Sequence, residues 1–201
     1  LLVFVGILAG ILAGIRKGKF IDNLVLVSTL VVISIPTFVI GSVSQTIFGV
    51  KLHWFPVTVK SNPGWYDLLL PGLVLGSLSL AYAARLTRTN LAENLRADYV
   101  RTAVAKGLSR SRVIGVHTLR NSLIPVVTFL GADFGGLLGG AIITERIFNI
   151  RGVGGYIFQS IHSRDGTAVV GAVTMLVIVY LLMNLLVDLL YGVLDPRISH
   201  D

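Results

Sequence analysis

The chain has 201 residues, of which 54% are hydrophobic and only 13% are charged, with a formal net charge of +7. A soluble domain of this length needs more polar surface than this composition supplies, so the sequence indicates an integral membrane protein. The absence of cysteine excludes a disulfide framework and a thiolate metal site.

Apolar blocks along the chain predict membrane-spanning helices, because a hydrocarbon layer of about 30 Å requires about 20 apolar residues per helix. The first block is short and has no Met before it, so we expect it to be the remainder of a longer helix and the sequence to be a fragment. Pro36 and Pro71 fall inside or at the start of blocks, where we expect simple kinks or, alternatively, a moving hinge. The predicted spans are residues 1–15, 24–48, 68–86, 123–143 and 168–190.

The predicted fold class is therefore all-α, a polytopic bundle of transmembrane helices that forms a single domain over residues 1–201. Basic residues are concentrated in two connectors that lie two spans apart, and hence on the same side of the membrane. The positive-inside rule places both in the cytoplasm, and it places the segments 51–67 and 145–166 outside. These basic residues are Arg16, Lys17 and Lys19 in one connector, and Arg85, Arg88, Arg96, Arg101, Lys106, Arg110, Arg112 and Arg120 in the other.

The second connector, residues 87–121, is too long for a simple turn and too polar to lie in lipid. Asn90 and Glu93 have the spacing of a capping box, which predicts a helix over residues 90–105. Gly107 then ends that helix, and residues 108–121 are expected to form a second one. A helix, a break and a helix on the cytoplasmic side predict a docking element for another protein.

Residues 99–109, with the sequence YVRTAVAKGLS, are followed by His117-Thr-Leu-Arg-Asn121 and Pro125. They resemble the cytoplasmic signature of binding-protein-dependent ABC importer permeases, specifically the dipeptide and oligopeptide permease family. His117 and Arg120 stand where the broader signature has an apolar residue and a proline, which is similar to the peptide and nickel branch. Further similar residues are Gly135, Gly136, Gly139, Gly140, Glu145, Phe148, Gly152, Gly154, Asp188, Asp195, Pro196 and Arg197.

This resemblance implies a multi-pass permease subunit of a bacterial cell membrane, with six spans of which this chain shows five. Such a subunit forms half of a translocation path for short peptides and works by alternating access. The implied partners are a second homologous permease subunit, ATP-binding subunits that hold ATP and Mg, an extracytoplasmic substrate-binding protein and membrane lipid, but no nucleic acid. The alternatives are a permease for nickel or haem-like cargo, an ATP-independent secondary transporter, and a membrane scaffold.

Two sites follow from these residues. The first couples the chain to an ATPase subunit: Gly107 is expected to permit a sharp turn, and small side chains are expected to seat closely against the partner. An ordinary amphipathic helix on the lipid headgroups is the alternative. The second site is Asp133, an acidic residue inside a span, which either lines the translocation path or only bonds a neighbouring helix. The predicted coupling residues are Ala103, Ala105, Lys106, Gly107, Leu108 and Ser109.

No catalytic residue is predicted. The run from Gly14 to Lys19 has the wrong spacing for a phosphate-binding loop, and Phe20 stands where Ser or Thr would hold magnesium. The four His residues have no carboxylate or second His at ligand spacing, so no metal site is expected. We therefore expect a transport subunit that has no ATPase site and no cofactor of its own.

Overall fold

The computed structural model describes the backbone of residues 1–194 and the side chains of residues 1–186 and 189. Over these residues the regular secondary structure is entirely helical, which confirms the all-α fold class. Two π-helical segments, Gln45–Lys51 and Val113–Thr118, continue the α-helices that precede them. The α-helices are α1 (Leu2–Ile15), α2 (Phe20–Ser34), α3 (Thr37–Ser44), α4 (Leu69–Asn94), α5 (Asp98–Ala105), α6 (Arg110–Arg112), α7 (Leu119–Ile147), α8 (Val153–His162) and α9 (Gly166–Leu194).

Three of the described helices are long and apolar enough to cross a membrane. They are α4, α9 and the continuous run Arg110–Ile147, and a fourth span results if α2 and α3 with its π-helical segment count as one broken span. The kink predicted at Pro36 within residues 24–48 is a bend of 98° between α2 and the helix that begins at Thr37. Ile35 has the extended backbone (φ −102°, ψ 126°) that a residue before proline favours, so α2 ends at Ser34.

The chain divides into two compact units, one formed by residues 1–36 with 76–130 and the other by residues 37–75 with the chain from 131 onward. In the first unit, α1 lies against α4 through Gly6, Gly10 and Gly14. A Cβ at Gly6 would lie 2.5 Å from the Leu80 carbonyl oxygen, and one at Gly10 would lie 2.7 Å from the Thr87 Cβ. Small residues at this spacing let two helices approach closely in lipid.

In the second unit, the loop after α3 is fixed to the end of α7. The Gln45 side-chain amide donates hydrogen bonds to the Val57 carbonyl (2.7 Å) and the Ile147 carbonyl (2.8 Å), and the Val59 amide donates to the Phe148 carbonyl (2.9 Å). Residues 52–68 contain no helix, as the Pro- and Gly-containing sequence predicts. The two segments predicted to lie outside the membrane are therefore in direct contact.

The glycines in the apolar part of α7 also pack against neighbouring helices of this unit. A Cβ at Gly135 would overlap the ring of Tyr180 on α9, and a Cβ at Gly140 would lie 3.1 Å from the Leu75 Cδ1. At these two positions the glycine run serves helix packing, as its place in an apolar span predicts.

Candidate functional site

The continuous helix predicted over residues 90–105 is wrong, because the chain leaves the α-helix between Asn94 and Asp98. The α4 helix continues to Asn94 and the next long helix begins at Arg110, so the connector comprises residues 95–109 and contains the single helix α5. Asn90 does not cap a helix, because it lies inside α4 and its side chain donates to the Leu86 carbonyl at 2.8 Å. Leu91 is fully buried, and its packing stabilises α4 beyond residue 87, where the polar sequence suggests a connector.

The α5 helix ends in a Schellman motif centred on Gly107. The Gly107 amide donates to the Val104 carbonyl at 2.9 Å, and the Leu108 amide donates to the Ala103 carbonyl at 3.3 Å. This turn requires a left-handed residue, and Gly107 has φ of 77°, which glycine adopts without a steric cost. The sharp turn expected at Gly107 is therefore made with a left-handed glycine backbone.

An apolar cluster holds this turn against the start of the long helix. Val100, Ala103 and Val113 are buried, and Leu108 packs against them; we call these four residues the coupling cluster. A contact of this kind, between the residue after the turn and the last helical turn, commonly accompanies a Schellman motif. The structure corrects one expectation here, because Ala103 is only 7% exposed and supports the turn from within the chain instead of facing a partner.

The remaining predicted coupling residues lie on the surface of the turn. Ala105, Lys106, Gly107 and Ser109 are exposed, and Leu108 is half-buried. A Cβ built at Gly107 would meet no atom of the described chain within 4 Å, so the turn projects into open space.

Two apolar residues that the sequence did not single out lie on the same connector. The α5 helix buries Val100 and Ala103 on one face. Outside that buried pair, Val104 is 60% exposed and Tyr99 is 40% exposed. On a helix of 3.6 residues per turn, Tyr99 and Val104 lie on either side of the face that carries Val100 and Ala103.

Buried polar groups join both ends of the connector. The Asn94 side-chain amide donates to the Ser122 hydroxyl at 3.0 Å, and that hydroxyl donates to the Thr118 carbonyl at 2.8 Å. The Thr118 hydroxyl in turn donates to the carbonyl of Val113, at 2.9 Å across one turn of the π-helical segment. The end of α4 is thus hydrogen-bonded to the long helix that carries Val113 of the coupling cluster.

A buried ion pair joins α2 to α4 in the same unit. The Arg88 guanidinium donates two hydrogen bonds of 2.7 Å to the carboxylate of Asp22, which is 1% exposed. The Gly18 amide donates a third bond to that carboxylate, at 2.8 Å. Arg88 is therefore not part of a water-exposed basic connector, and the sequence could not show this because Asp22 is 66 positions away.

Asp133, the other predicted site residue, lies on α7 in the second unit, whereas the connector belongs to the first unit. Its side chain is half-buried. Near the end of the same helix, the Glu145 carboxylate accepts a hydrogen bond from the Gly155 amide at 3.1 Å. The side chain of Asp188 and residues 195–197, which contribute to the family resemblance, lie outside the described residues.

The segment after α7 forms one wall of a cavity of about 1080 Å³ in the second unit. Arg146 lies over the ring of Phe158, with its guanidinium carbon 4.6 Å from the ring centre. The opposite wall is formed by small residues and a methionine of α9. The polar and basic lining residues are Glu145, Arg146, Asn149, Arg151, Gln159 and His162.

Comparison with curated proteins finds several relatives that share the same percentage of identical residues with this chain. The chain is 38% identical to the dipeptide transport system permease protein DppB of Alkalihalophilus pseudofirmus, over 98% of the chain and 67% of that protein. It is 38% identical to the di/tripeptide transport system permease protein DppB of Pseudomonas aeruginosa (97% and 66%). It is also 38% identical to the glutathione transport system permease protein GsiC of Escherichia coli K12 (98% and 64%).

The chain thus spans about two thirds of the length of these relatives. Residues 6–200 match the family described as binding-protein-dependent transport system inner membrane component. This match covers nearly the whole chain, both compact units and every helix of the fold. The apolar helices and the bacterial relatives agree with that description, so the chain is a multi-pass protein of the bacterial inner membrane. The chain belongs to the family of binding-protein-dependent transport system inner membrane components, in the peptide and nickel branch of ABC importer permeases.

Proposed function

We propose that this chain is the permease subunit of an ATP-driven importer for short peptides, and that it forms half of the translocation path. The peptide assignment rests on the relatives, which are permeases for dipeptides, di- and tripeptides and glutathione. The other half of the path would come from a second homologous permease subunit.

The observation that carries the coupling role is the rigid attachment of the exposed turn. Residues 105–109 project from a Schellman motif whose base, the coupling cluster, includes Val113 of the long helix. A force applied to the turn is therefore transmitted to Val113 instead of being absorbed by a flexible loop. Such a turn is suited to receive the movement of a separate subunit that hydrolyses ATP.

The chain itself supplies no phosphate-binding loop in its sequence, so ATP and magnesium would be held by the partner subunits. On the opposite side of the membrane, residues 145–165 would contact the substrate-binding protein or cap the cavity of the path. Tyr156 and Ile161 of α8 are both more than half exposed and offer an apolar surface for that contact. Asp133 would either line the path or bond a neighbouring helix.

The coupling role is tested by substitution of Gly107. Gly107→Asp places a side chain and a charge on the turn and imposes a left-handed backbone on a residue that disfavours it. Loss of fit at a protein contact costs about 1 to 4 kcal/mol. The variant complex, purified through a tag on this chain, is expected to insert normally, to keep its permease partner, and to lose bound ATP subunits or their stimulated hydrolysis.

Gly18 offers a matched control. Its φ is 80°, close to the 77° of Gly107, and its Cβ position is equally open. Gly18→Asn and Gly107→Asn therefore impose the same type of backbone change at two sites, and only the second is expected to release ATP subunits. Wild-type amounts of bound ATP subunits and wild-type stimulated hydrolysis in Gly107→Asp would contradict the docking role of residues 105–109.

A further inference from the structure

The Asp22–Arg88 pair is unusual because a carboxylate that is 1% exposed binds a guanidinium that is only 16% exposed. Removing a carboxylate and a guanidinium from water has a large desolvation cost, which is offset only by good geometry and full hydrogen bonding. Both conditions hold here, since the guanidinium binds the Asp22 carboxylate with two parallel bonds and the Gly18 amide supplies a third. A planar, two-bond contact of this kind fixes orientation as well as distance.

The position of the pair connects it with the connector. Arg88 lies less than two turns before Asn94, the last residue of α4. Asn94 binds the Ser122 hydroxyl, and Ser122 binds the Thr118 carbonyl, in the segment that begins with Val113 of the coupling cluster. The contacts from Asp22 to the coupling cluster therefore form an unbroken series of hydrogen bonds and helical backbone.

We propose that Asp22 and Arg88 are positioning residues that make α2 and α4 move as one body when the connector is displaced. Apolar packing alone permits two helices to slide or rotate against each other, whereas a two-bond ion pair resists both movements. The pair thereby passes a displacement of the connector on to α2, which has no hydrogen bond of its own to residues 95–109 among the bonds described above. This inference rests on the proposed coupling function of the connector.

The first test separates positioning from stability. Asp22→Asn leaves the half-buried guanidinium of Arg88 without its charge partner, so the amount of assembled complex is expected to fall. The double variant Asp22→Asn/Arg88→Gln removes both charges, retains groups that form hydrogen bonds, and is expected to restore assembly. Its uptake of labelled dialanine per ATP hydrolysed in proteoliposomes is nevertheless expected to fall at least about fivefold, the lower end of coupling between linked sites.

Arg16→Gln is the control for this experiment, because Arg16 is an exposed basic residue of the same turn. It is expected to leave both assembly and uptake per ATP unchanged. If the double variant assembles and transports with the wild-type ratio of uptake to hydrolysis, Asp22 and Arg88 only stabilise the fold and the proposal is wrong.

A second test remains decisive if the double variant assembles poorly. Asp22→Cys/Arg88→Cys introduces the only two thiols of this chain, and a short thiol-reactive crosslinker can join them in the assembled complex. Crosslinking is expected to restore the uptake per ATP that the unlinked pair has lost, because the two helices are again held together. If the crosslink leaves the ratio low or blocks uptake, α2 and α4 need not move together, and the proposal is overturned.

The two proposals fail in different ways. If the connector does not dock an ATP subunit, Gly107→Asp retains bound ATP subunits and stimulated hydrolysis. If the connector docks but the ion pair does not position α2, Gly107→Asp loses these subunits while the Asp22 and Arg88 variants keep the wild-type ratio.

Discussion

The Glu145 carboxylate of α7 accepts a hydrogen bond from the Gly155 amide of α8 at 3.1 Å, so the end of one helix caps the start of the next. This close contact between the two helices explains why positions 152 and 154 are glycines. A Cβ at Gly152 would overlap the Glu145 carboxylate, and a Cβ at Gly154 would overlap the backbone of Ile142. The run of glycines after Glu145 therefore permits α8 to lie directly on α7.

Glu145→Ala is expected to destabilise α8 locally. The substitution removes the acceptor for an N-terminal amide and the negative charge beside the positive end of the helix, which costs about 1 kcal/mol. Hydrogen exchange of the α8 amides in the purified complex should become about fivefold faster as a result. Glu145→Gln keeps an acceptor oxygen and should have a smaller effect. Unchanged exchange in Glu145→Ala would show that the carboxylate does not hold α8.

The orientation in the membrane is tested with single cysteines, since the chain has none of its own. Ser61 and Ser109 are both exposed, and they lie in the loop after α3 and in the connector. Ser61→Cys is expected to react with an impermeant thiol reagent from outside the cell. Ser109→Cys is expected to react only after the membrane has been opened. Labelling of Ser109→Cys in intact cells would contradict both the orientation and the docking assignment.

Asp133→Asn distinguishes the two roles of the acidic residue in α7. Asn has nearly the same shape and retains hydrogen bonding, but it removes the charge, so assembly of the complex is expected to survive. If Asp133 only bonds a neighbouring helix, uptake of dialanine into proteoliposomes should persist, and this is the outcome we expect. A stable complex that no longer transports would instead support a place for Asp133 on the translocation path.

The sequence predicts the membrane class and the helical architecture well, because the length of an apolar block is a local property. It fails where distant residues decide the structure. Arg88 looks like part of an exposed basic connector, and only the fold shows that Asp22 neutralises it. For the same reason the sequence does not show that α4 continues to Asn94.

In the candidate site, too, the sequence predicts what depends on neighbouring residues and does not predict what depends on distant ones. The left-handed turn at Gly107 follows from a local rule, since glycine is the usual residue after the end of a helix. The direction of the Ala103 side chain does not follow from a local rule, because it depends on where the long helix places Val113. Small size at position 103 indicates a close contact, but sequence alone does not indicate whether the contact is made with a partner or within the chain.

The glycines of α1 restrict how this helix can move. Gly6 and Gly10 lie over the carbonyl oxygens of Leu80 and Ala84, four positions apart on both helices. A shift of α1 along α4 by one whole turn, about 5.4 Å, would place Gly10 over Leu80 and Gly14 over Ala84. The spacing of the glycines thus permits two registers of α1 along α4 that differ by one helical turn.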